Sequence, residues 1–364
     1  KKSLLEKTGL YDNHYDGSQD HDMILKLTTV AKHVSHIPEV LYFWRVHPQS
    51  VSMNINAKTY AIDAGRNAVK DNEARLGRKT EVFSSCICAT HYRLEYELQE
   101  NPLVSILVVN NGSGKGLARL VDSIVKRTEY DNYEICIADF GKSSRETQQF
   151  LALAEQEPFI QVRRFEEDVT PAAACNQMAE SVRGEYLVFL EADMEILDSR
   201  WLNRLLMYTM QDDIAVTGSR IIDPGKFVQE AGYIIGIGAD GIAHPVEHGN
   251  TFSAPGYIGR MYYAHNVSAV SMWGMMVEKK AFLENGGFNN KLQGVYYLGI
   301  DYSLRQRKAG KQVVLEPYII NETHELRLTK LDENRVREKD AQEMKAMWGS
   351  VLAQGDPYYN KNFA

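Results

Sequence analysis

The chain has 364 residues, with 41 Lys and Arg against 48 Asp and Glu for a formal net charge of −7, and it is 44% hydrophobic and 24% charged. That is about two domains' worth of an ordinary globular composition, long enough to bury a real core. The acidic balance argues against nucleic acid as a partner, no run approaches the ~18 apolar residues of a membrane span, and a negatively charged ligand needs a local cation or metal because the overall field does not attract it.

The first residues, KKSLLEKTGL, predict a helix without the apolar stretch of a signal peptide, and they open abruptly, as if continuing something longer. Residues 17–27 (GSQDHDMILKL) and 297–307 (YLGIDYSLRQR) read as two copies of one element. Each places an Asp (Asp22, Asp301) four residues before a basic residue (Lys26, Arg305), a spacing that pairs on a helix. Two residues before that Asp, the first copy has Asp20 and the second Gly299. Residues 60–78 predict a helix, and 79–101 a polar connector with one strand.

From Pro102 the pattern is regular. LVSILVV (103–109) is a continuous β-branched run, as in a strand buried on both faces. A Gly-rich turn, NNGSGKG, and a helical segment follow. YEICIAD (133–139) is the next strand, ending in Asp139, and a helix opened by Ser capping candidates comes after it. IQVRRF, the helix PAAACNQMAESV and the strand EYLVFLEAD (185–193) complete the alternation. Such spacing predicts an α/β fold with a doubly wound, mostly parallel sheet, whose ligands bind beyond the carboxyl ends of the strands. WLNRLLMYTMQ (201–211) is a further helix. Strands and glycine-rich turns follow, then VSAVSMWGMMV (267–277), the length of a buried strand, the repeated element, and a charged amphipathic helix over 329–348.

Glu191 and Asp193 lie at a strand end, and residues i and i+2 of a strand face the same way. Both could address one divalent cation, Mg2+ or Mn2+ by the hardness of their oxygens; the same spacing also describes two solvated acids in a turn. Asp139 could accept hydrogen bonds from a ribose or base, or serve as a turn or cap acid. His324 could be an imidazole ligand or a structural His. Gly112, Gly114 and Gly116 lack both the Lys-Ser/Thr ending of a P-loop and GxGxxG spacing, which disfavours a dinucleotide-binding oxidoreductase. Cys86, Cys88, Cys136 and Cys175 form no CxxC pair and read as reduced thiols.

The order of these features (buried strand, strand ending in Asp139, RGEYLVFLEADMEI, FVQEAGYIIGIG, NVSAVSMWGMMVEKKAFLENGGF, the helix with Asp301, then His324) resembles the family 2 glycosyltransferases of GT-A fold over about residues 102–360. Residues 1–52 resemble the last part of another such domain, and DPYYN (356–360) resembles the end of large bacterial polysaccharide and rhamnan-type members. The resemblance implies a partial transferase segment (1–52), a helical linker (53–101), a GT-A domain (102–328) and a C-terminal helix and tail (329–364). It implies inverting transfer from a nucleotide-sugar donor to a glycan acceptor, with Mn2+ or Mg2+, in bacterial cell-surface polysaccharide synthesis. The implied location is cytoplasmic, at the inner face of the membrane where the acceptor is lipid-linked. By position, Asp139 and Asn176 face the donor, Glu191, Asp193 and His324 the metal, and Asp20 is the general base of the first copy. The departures fall at the site: VVNNGS lacks the family's Pro-Thr turn, Cys175 stands where Arg or Asn is common, Glu191 and Ala192 replace Asp or Asn, and Leu298–Gly299 replace an acid pair. Asp301 points about 200° away from Gly299 around a helix and reads as scaffold. A catalytically degenerate module that binds glycan or supports an active partner domain is the alternative implied by these losses.

Overall fold

The computed structural model describes residues 1–35, 37, 39–43, 59–85, 89–110, 114–141, 143–324, 335–360 and 362. The chain divides into two compact units, Lys1–Glu97 and Leu98–Ala364.

In the first unit, helices α1 (Lys2–Thr8), α2 (Gln19–Val30) and α3 (Thr59–Arg75) precede a hairpin of β1 (Thr80–Ser84) and β2 (Tyr92–Tyr96). The connector expected to hold one strand thus supplies an antiparallel pair. Helix α3, expected as a linker, packs on α2 as part of this unit. Ser18 Oγ donates to the Ala61 carbonyl at 2.7 Å, and the Tyr15 hydroxyl to Asp71 at 2.7 Å. Leu41, Tyr42 and Phe43 are exposed; the expected boundary at residue 52, Trp44 to His47, Cys86 and Cys88 lie outside the described residues.

The second unit begins with β3 (Val104–Val109), all six residues buried as its apolar run predicts. Helix α4 (Gly114–Arg127) buries Leu117, Leu120, Val121 and Ile124 along one stripe and ends in Lys126 and Arg127, where cations favour the helix dipole; the turn before it, including Gly112, is outside the described residues. There follow β4 (Tyr133–Asp139), α5 (Arg145–Ala154), β5 (Ile160–Arg164), α6 (Pro171–Ser181), β6 (Tyr186–Glu191), β7 (Met194–Ile196), α7 (Trp201–Thr209) and β8 (Ile214–Ile222). Ser144 caps α5 by accepting from Thr147 N, and Thr170 caps α6 ahead of Pro171. Then come β9 (Val228–Glu230), β10 (Tyr233–Ile235), β11 (Ala243–Pro245), β12 (His265–Asn266), β13 (Met276–Glu278), α8 (Lys279–Glu284), α9 (Leu298–Lys308), β14 (Gln312–Thr323) and α10 (Arg335–Gln354).

The main sheet runs β12-β14-β8-β13-β6-β3-β4-β5, with β7 on β14 and β9 on β8. Strands β6, β3, β4 and β5 are parallel neighbours, β8 and β14 are parallel, and β13 runs antiparallel between β6 and β8. Val109 pairs with both Ala138 and Glu191, so the carboxyl ends of β4, β3 and β6 form one rim.

One expected strand is absent. Residues 267–277 are buried throughout, yet only Met276–Glu278 form a strand, and 267–275 run as irregular backbone with a turn at 272–274. A buried segment off the ladder must find other partners for its amides. Val270 N donates to Ser303 Oγ at 3.3 Å, Trp273 N to Ser271 Oγ at 3.2 Å, and Gly274 N to the Phe189 carbonyl at 2.7 Å. Gly274 sits at φ 72°, and a Cβ there would lie 2.0 Å from Ser219 Oγ, so only glycine fits the turn.

His265 borders this segment. Its Nδ1 hydrogen-bonds the Tyr263 carbonyl at 3.0 Å, and burial pulls its pKa from 6.5 to about 4. A His with a depressed folded pKa contributes stability that is present above its unfolded pKa and is lost as pH falls through the folded one. Urea unfolding should therefore show stability falling between pH 6.5 and 4, by roughly 2–3 kcal/mol from this group. His265→Gln should flatten that stretch of the profile; an unchanged slope would show that His265 does not supply it.

Candidate active site

Asp139 ends β4 and is buried. Its Oδ1 accepts from Ser143 Oγ at 2.5 Å and from Asn110 Nδ2 at 3.2 Å, and its Oδ2 from Gln148 Nε2 at 2.9 Å. Asn110 follows β3, so neighbouring strand ends and the turn into α5 position one carboxylate. Glu191 ends β6 two strands away, which at ~4.8 Å per strand is about 10 Å along the rim. Glu191 and Asp193 are 1% and 3% exposed, far more enclosed than solvated turn acids.

His324 does not join that acidic pair. Its backbone N donates to the Asp193 carbonyl at 3.0 Å, extending the β7–β14 ladder by one register. Its Nε2 lies 3.2 Å from both Glu195 and Glu322. Among the described residues, Glu195, Glu322 and His324 are the His, Cys, Asp or Glu side chains whose ligand atoms lie within 4.8 Å of one another. The cause is strand register: Glu195 and Glu322 are paired residues, and His324, two residues on, shares their face. Arg127 at 3.0 Å and Arg119 at 3.9 Å pair with Glu195, and Lys226 with Glu322. The sequence reading missed Glu195 and Glu322, although their i+2 spacing from Asp193 and to His324 was the available signal.

Asn176 is also placed differently from expectation. Its Nδ2 donates to the Phe288 carbonyl at 2.9 Å and its Oδ1 accepts from Phe288 N at 2.8 Å. The amide is committed to the loop beyond α8, which Gly287 brings so close that a Cβ there would lie 2.3 Å from Asn176 Oδ1. Cys136 and Cys175 are free and buried, and burial pushes the Cys136 thiol up to about 12, which makes it inert.

The repeated element keeps its scaffold in both copies. Asp22 pairs with Lys26 at 2.6 Å and meets Arg75 of α3 at 3.4 Å. Asp301 pairs with Arg305 at 2.9 Å and accepts from Trp348 Nε1 of α10 at 2.9 Å. In each copy the acid takes one cation four residues on and one donor from a later helix, which makes α3 the counterpart of α10. Asp20 is exposed, bonded to His21 N at 2.9 Å. Gly299 is buried, and a Cβ there would lie 2.3 Å from Met272 N, 2.5 Å from Ser271 C and 2.6 Å from the Val270 carbonyl. The position that carries an acid in the first copy has no room for any side chain in the second.

Residues 103–273 match the family described as Glycosyl transferase family 2. The chain is 28% identical over 375 residues to the uncharacterized protein y4gI of Sinorhizobium fredii, covering 100% of this chain and 40% of that protein. It is 28% identical over 372 residues to the O-antigen biosynthesis protein RfbC of Myxococcus xanthus, covering 99% and 28%. The chain thus spans less than half the length of these curated relatives. A solved structure of GalNAc-T7 with UDP, GalNAc and Mn2+ superposes with a TM-score of 0.53 at 17% identity, over 87% of this chain and 64% of that one. Residues 103–273 thus match a family 2 glycosyltransferase model, and the second unit has the GT-A fold.

Gly299→Ala should destabilise by about 3 kcal/mol or more, because its new methyl meets backbone that cannot rotate away. Gly349→Ala is the matched control: it lies in α10 with nothing within 4 Å of its Cβ and should stabilise by roughly 0.5–1 kcal/mol. Equal effects of the two in thermal unfolding would contradict the close approach.

Proposed function

We propose that this chain takes part in glycosyl transfer from a UDP- or dTDP-linked sugar to a glycan acceptor, with inversion, in bacterial cell-surface polysaccharide synthesis. The observation that carries the reading is the rim itself: Asp139, Glu191 and Asp193 at the carboxyl ends of neighbouring parallel strands, where ligands of open α/β sheets bind, within a family 2 domain. The O-antigen name of the Myxococcus relative supports the polysaccharide context. A lipid-linked acceptor would bring the chain to the cytoplasmic face of the membrane; no described helix is long and apolar enough to cross one.

On this reading Asp139 receives the nucleoside, which displaces one of its three side-chain donors. The acidic pair and the imidazole fit a hard divalent cation, Mn2+ or Mg2+, in ligand chemistry. Glu191, Asp193 and His324 would hold it, His324 leaving its contacts with Glu195 and Glu322. The cation would neutralise the leaving diphosphate. In the first unit, Asp20 would be the acceptor-side base of the domain to which residues 1–52 belong. A second reading, a degenerate module that binds donor or glycan without turnover, is favoured by Gly299, since an acid at that position normally takes the acceptor proton and such assistance is worth ~10²–10⁴-fold.

Calorimetric titration of UDP and dTDP into the chain, with and without Mn2+, separates these readings. Metal-dependent binding is expected, weakened at least tenfold by Asp193→Ala and by Asp139→Ala. If Glu322→Ala abolishes the metal dependence while Asp193→Ala spares it, the cation belongs to the Glu195, Glu322 and His324 cluster. Binding without acceptor-dependent turnover supports the degenerate module, and no nucleotide binding under either condition defeats the transferase reading.

A further inference from the structure

The likeness between the two copies of the repeated element runs past the helix. Asp22 and Asp301, Lys26 and Arg305, and Pro38 and Pro317 are each 279 positions apart. The same offset sets Val34 against Val313, and residues 40–43 (VLYF) against 319–322 (IINE) of β14. In the second unit this strand is enclosed: 320–322 pair in parallel with 220–222 of β8, and 321–322 antiparallel with 195–196 of β7. In the first unit residues 40–43 belong to no described strand. Val34 and Val40 are 77% and 76% exposed where Val313 and Ile319 are fully buried, and Leu41, Tyr42 and Phe43 are exposed as well. Helix α2 is open on the matching side. Ile24 is 58% exposed, whereas Ser303, its counterpart, is buried and accepts from Val270 N.

The open positions share one direction. Asp22, which meets Arg75 of α3, is buried as Asp301 is against Trp348 of α10, so the helix-on-helix contact is complete in both copies. What stands bare is the set of positions that in the second unit touch β7, β8 and 267–275, all of which precede the repeated element in sequence. An unbroken apolar run is how a strand buried on both faces reads, and a run left unpaired is an edge that takes up another sheet. A lipid surface does not fit, because bare strand amides need partners that hydrocarbon lacks. A second copy of the chain does not fit either, since its own β14 fills the place beside β8. The curated relatives are more than twice as long as the stretch they share with this chain, length enough for a further sheet.

We propose that residues 40–43 are a strand of an open α/β sheet of the family 2 kind whose other strands lie outside this chain. Residues 41–43 enter it between a parallel strand in the place of β8 and a short antiparallel one in the place of β7. The inference rests on the reading of residues 1–52 as the end of another transferase domain, and it names what that end binds and in which register. Docked in this way, Asp20 takes the position that Gly299 holds in the second unit, so the partner sheet gains a carboxylate that the second unit lacks.

The test is photo-crosslinking from benzoylphenylalanine installed at Phe43, in the cells that make the protein, with the joined peptide read by mass spectrometry. It needs neither added nucleotide nor added cation, so a failure of donor binding leaves it untouched. The expected partner is one peptide of a family 2 sheet, either the short strand just after its acidic pair or the strand that follows. The same group installed at Val125, exposed on α4 of the second unit, should not yield that peptide. Leu41→Asp should cut the yield roughly tenfold, because a carboxylate in a dry sheet interface is costly. It should leave thermal unfolding of the chain alone unchanged, since Leu41 is already exposed there. Links to lipid, to residues 40–43 of another copy or to this chain's own second unit overturn the proposal. So do the absence of any link and a yield that Leu41→Asp leaves intact.

Discussion

Gly299 lets helix α9 lie directly on the backbone of Val270, Ser271 and Met272, and the second half of the C-terminal unit is arranged around that contact. A helix with any side chain at this position would stand off by more than a methyl radius and would open a void in a core packed at crystal density. The contact is clasped by Ser303, whose hydroxyl donates to the Gly299 carbonyl at 2.7 Å and accepts from Val270 N at 3.3 Å. Residues 267–275 can therefore leave the sheet and remain buried, because α9 and the Phe189 carbonyl supply the partners that a neighbouring strand would have supplied.

The two copies of the repeated element differ at this contact. Asp22 and Asp301 are both buried and both hold a basic residue one turn along and a donor from a later helix. Removing either acid would strand a donor and a cation, so the scaffold resists change. Asp20 faces solvent, and no packing depends on it. An acid with no packing role constrains the fold little, whereas at Gly299 the backbone of Val270, Ser271 and Met272 fills the space a side chain would need. A single substitution that placed an acid at Gly299 would meet that backbone.

The alternating strands and helices of 103–193 were legible because buried parallel strands read as unbroken apolar runs and because Ser144 and Thr170 mark helix starts with capping chemistry. Asp139 and the Glu191–Asp193 pair were legible for the same reason, as polar residues punctuating apolar strands. Three features were not. The run 267–277 is apolar enough for a strand, but a turn that only Gly274 permits depends on Ser219 and Asn321, far away in sequence. Asn176 looked free to face a ligand until the loop at Phe288, more than a hundred residues later, took both ends of its amide. His324 was grouped with Asp193, and backbone register does join them, but side-chain alternation hands the imidazole to Glu195 and Glu322. Each is a contact between distant segments, which local periodicity does not encode.

The buried carboxylates of the C-terminal unit differ in how fully their oxygens are used, and that difference separates scaffold from chemistry. Glu134 is buried, which alone would raise its pKa, yet hydrogen bonds from Arg183 N, Arg183 Nε and Ser105 Oγ outweigh burial and hold it below the usual carboxylate range. It ties the start of β4 to the turn before β6 and keeps no spare acceptor for a ligand. Asp301 is likewise saturated by Arg305 and Trp348. Asp139 accepts from three neutral side chains on short, local connections, donors that a ribose or base can exchange for its own at little cost, since one neutral hydrogen bond replaces another. Glu230 stands at the far end of the series. Burial raises its pKa, and its side-chain partners, the hydroxyls of Ser271 and Tyr233, are both neutral. Saturation with charged donors marks the acids that hold the fold. The acids held by neutral hydroxyl and amide donors are Asp139, at the strand-end rim, and Glu230, at the wall of a cavity beside the β10–β11 hairpin.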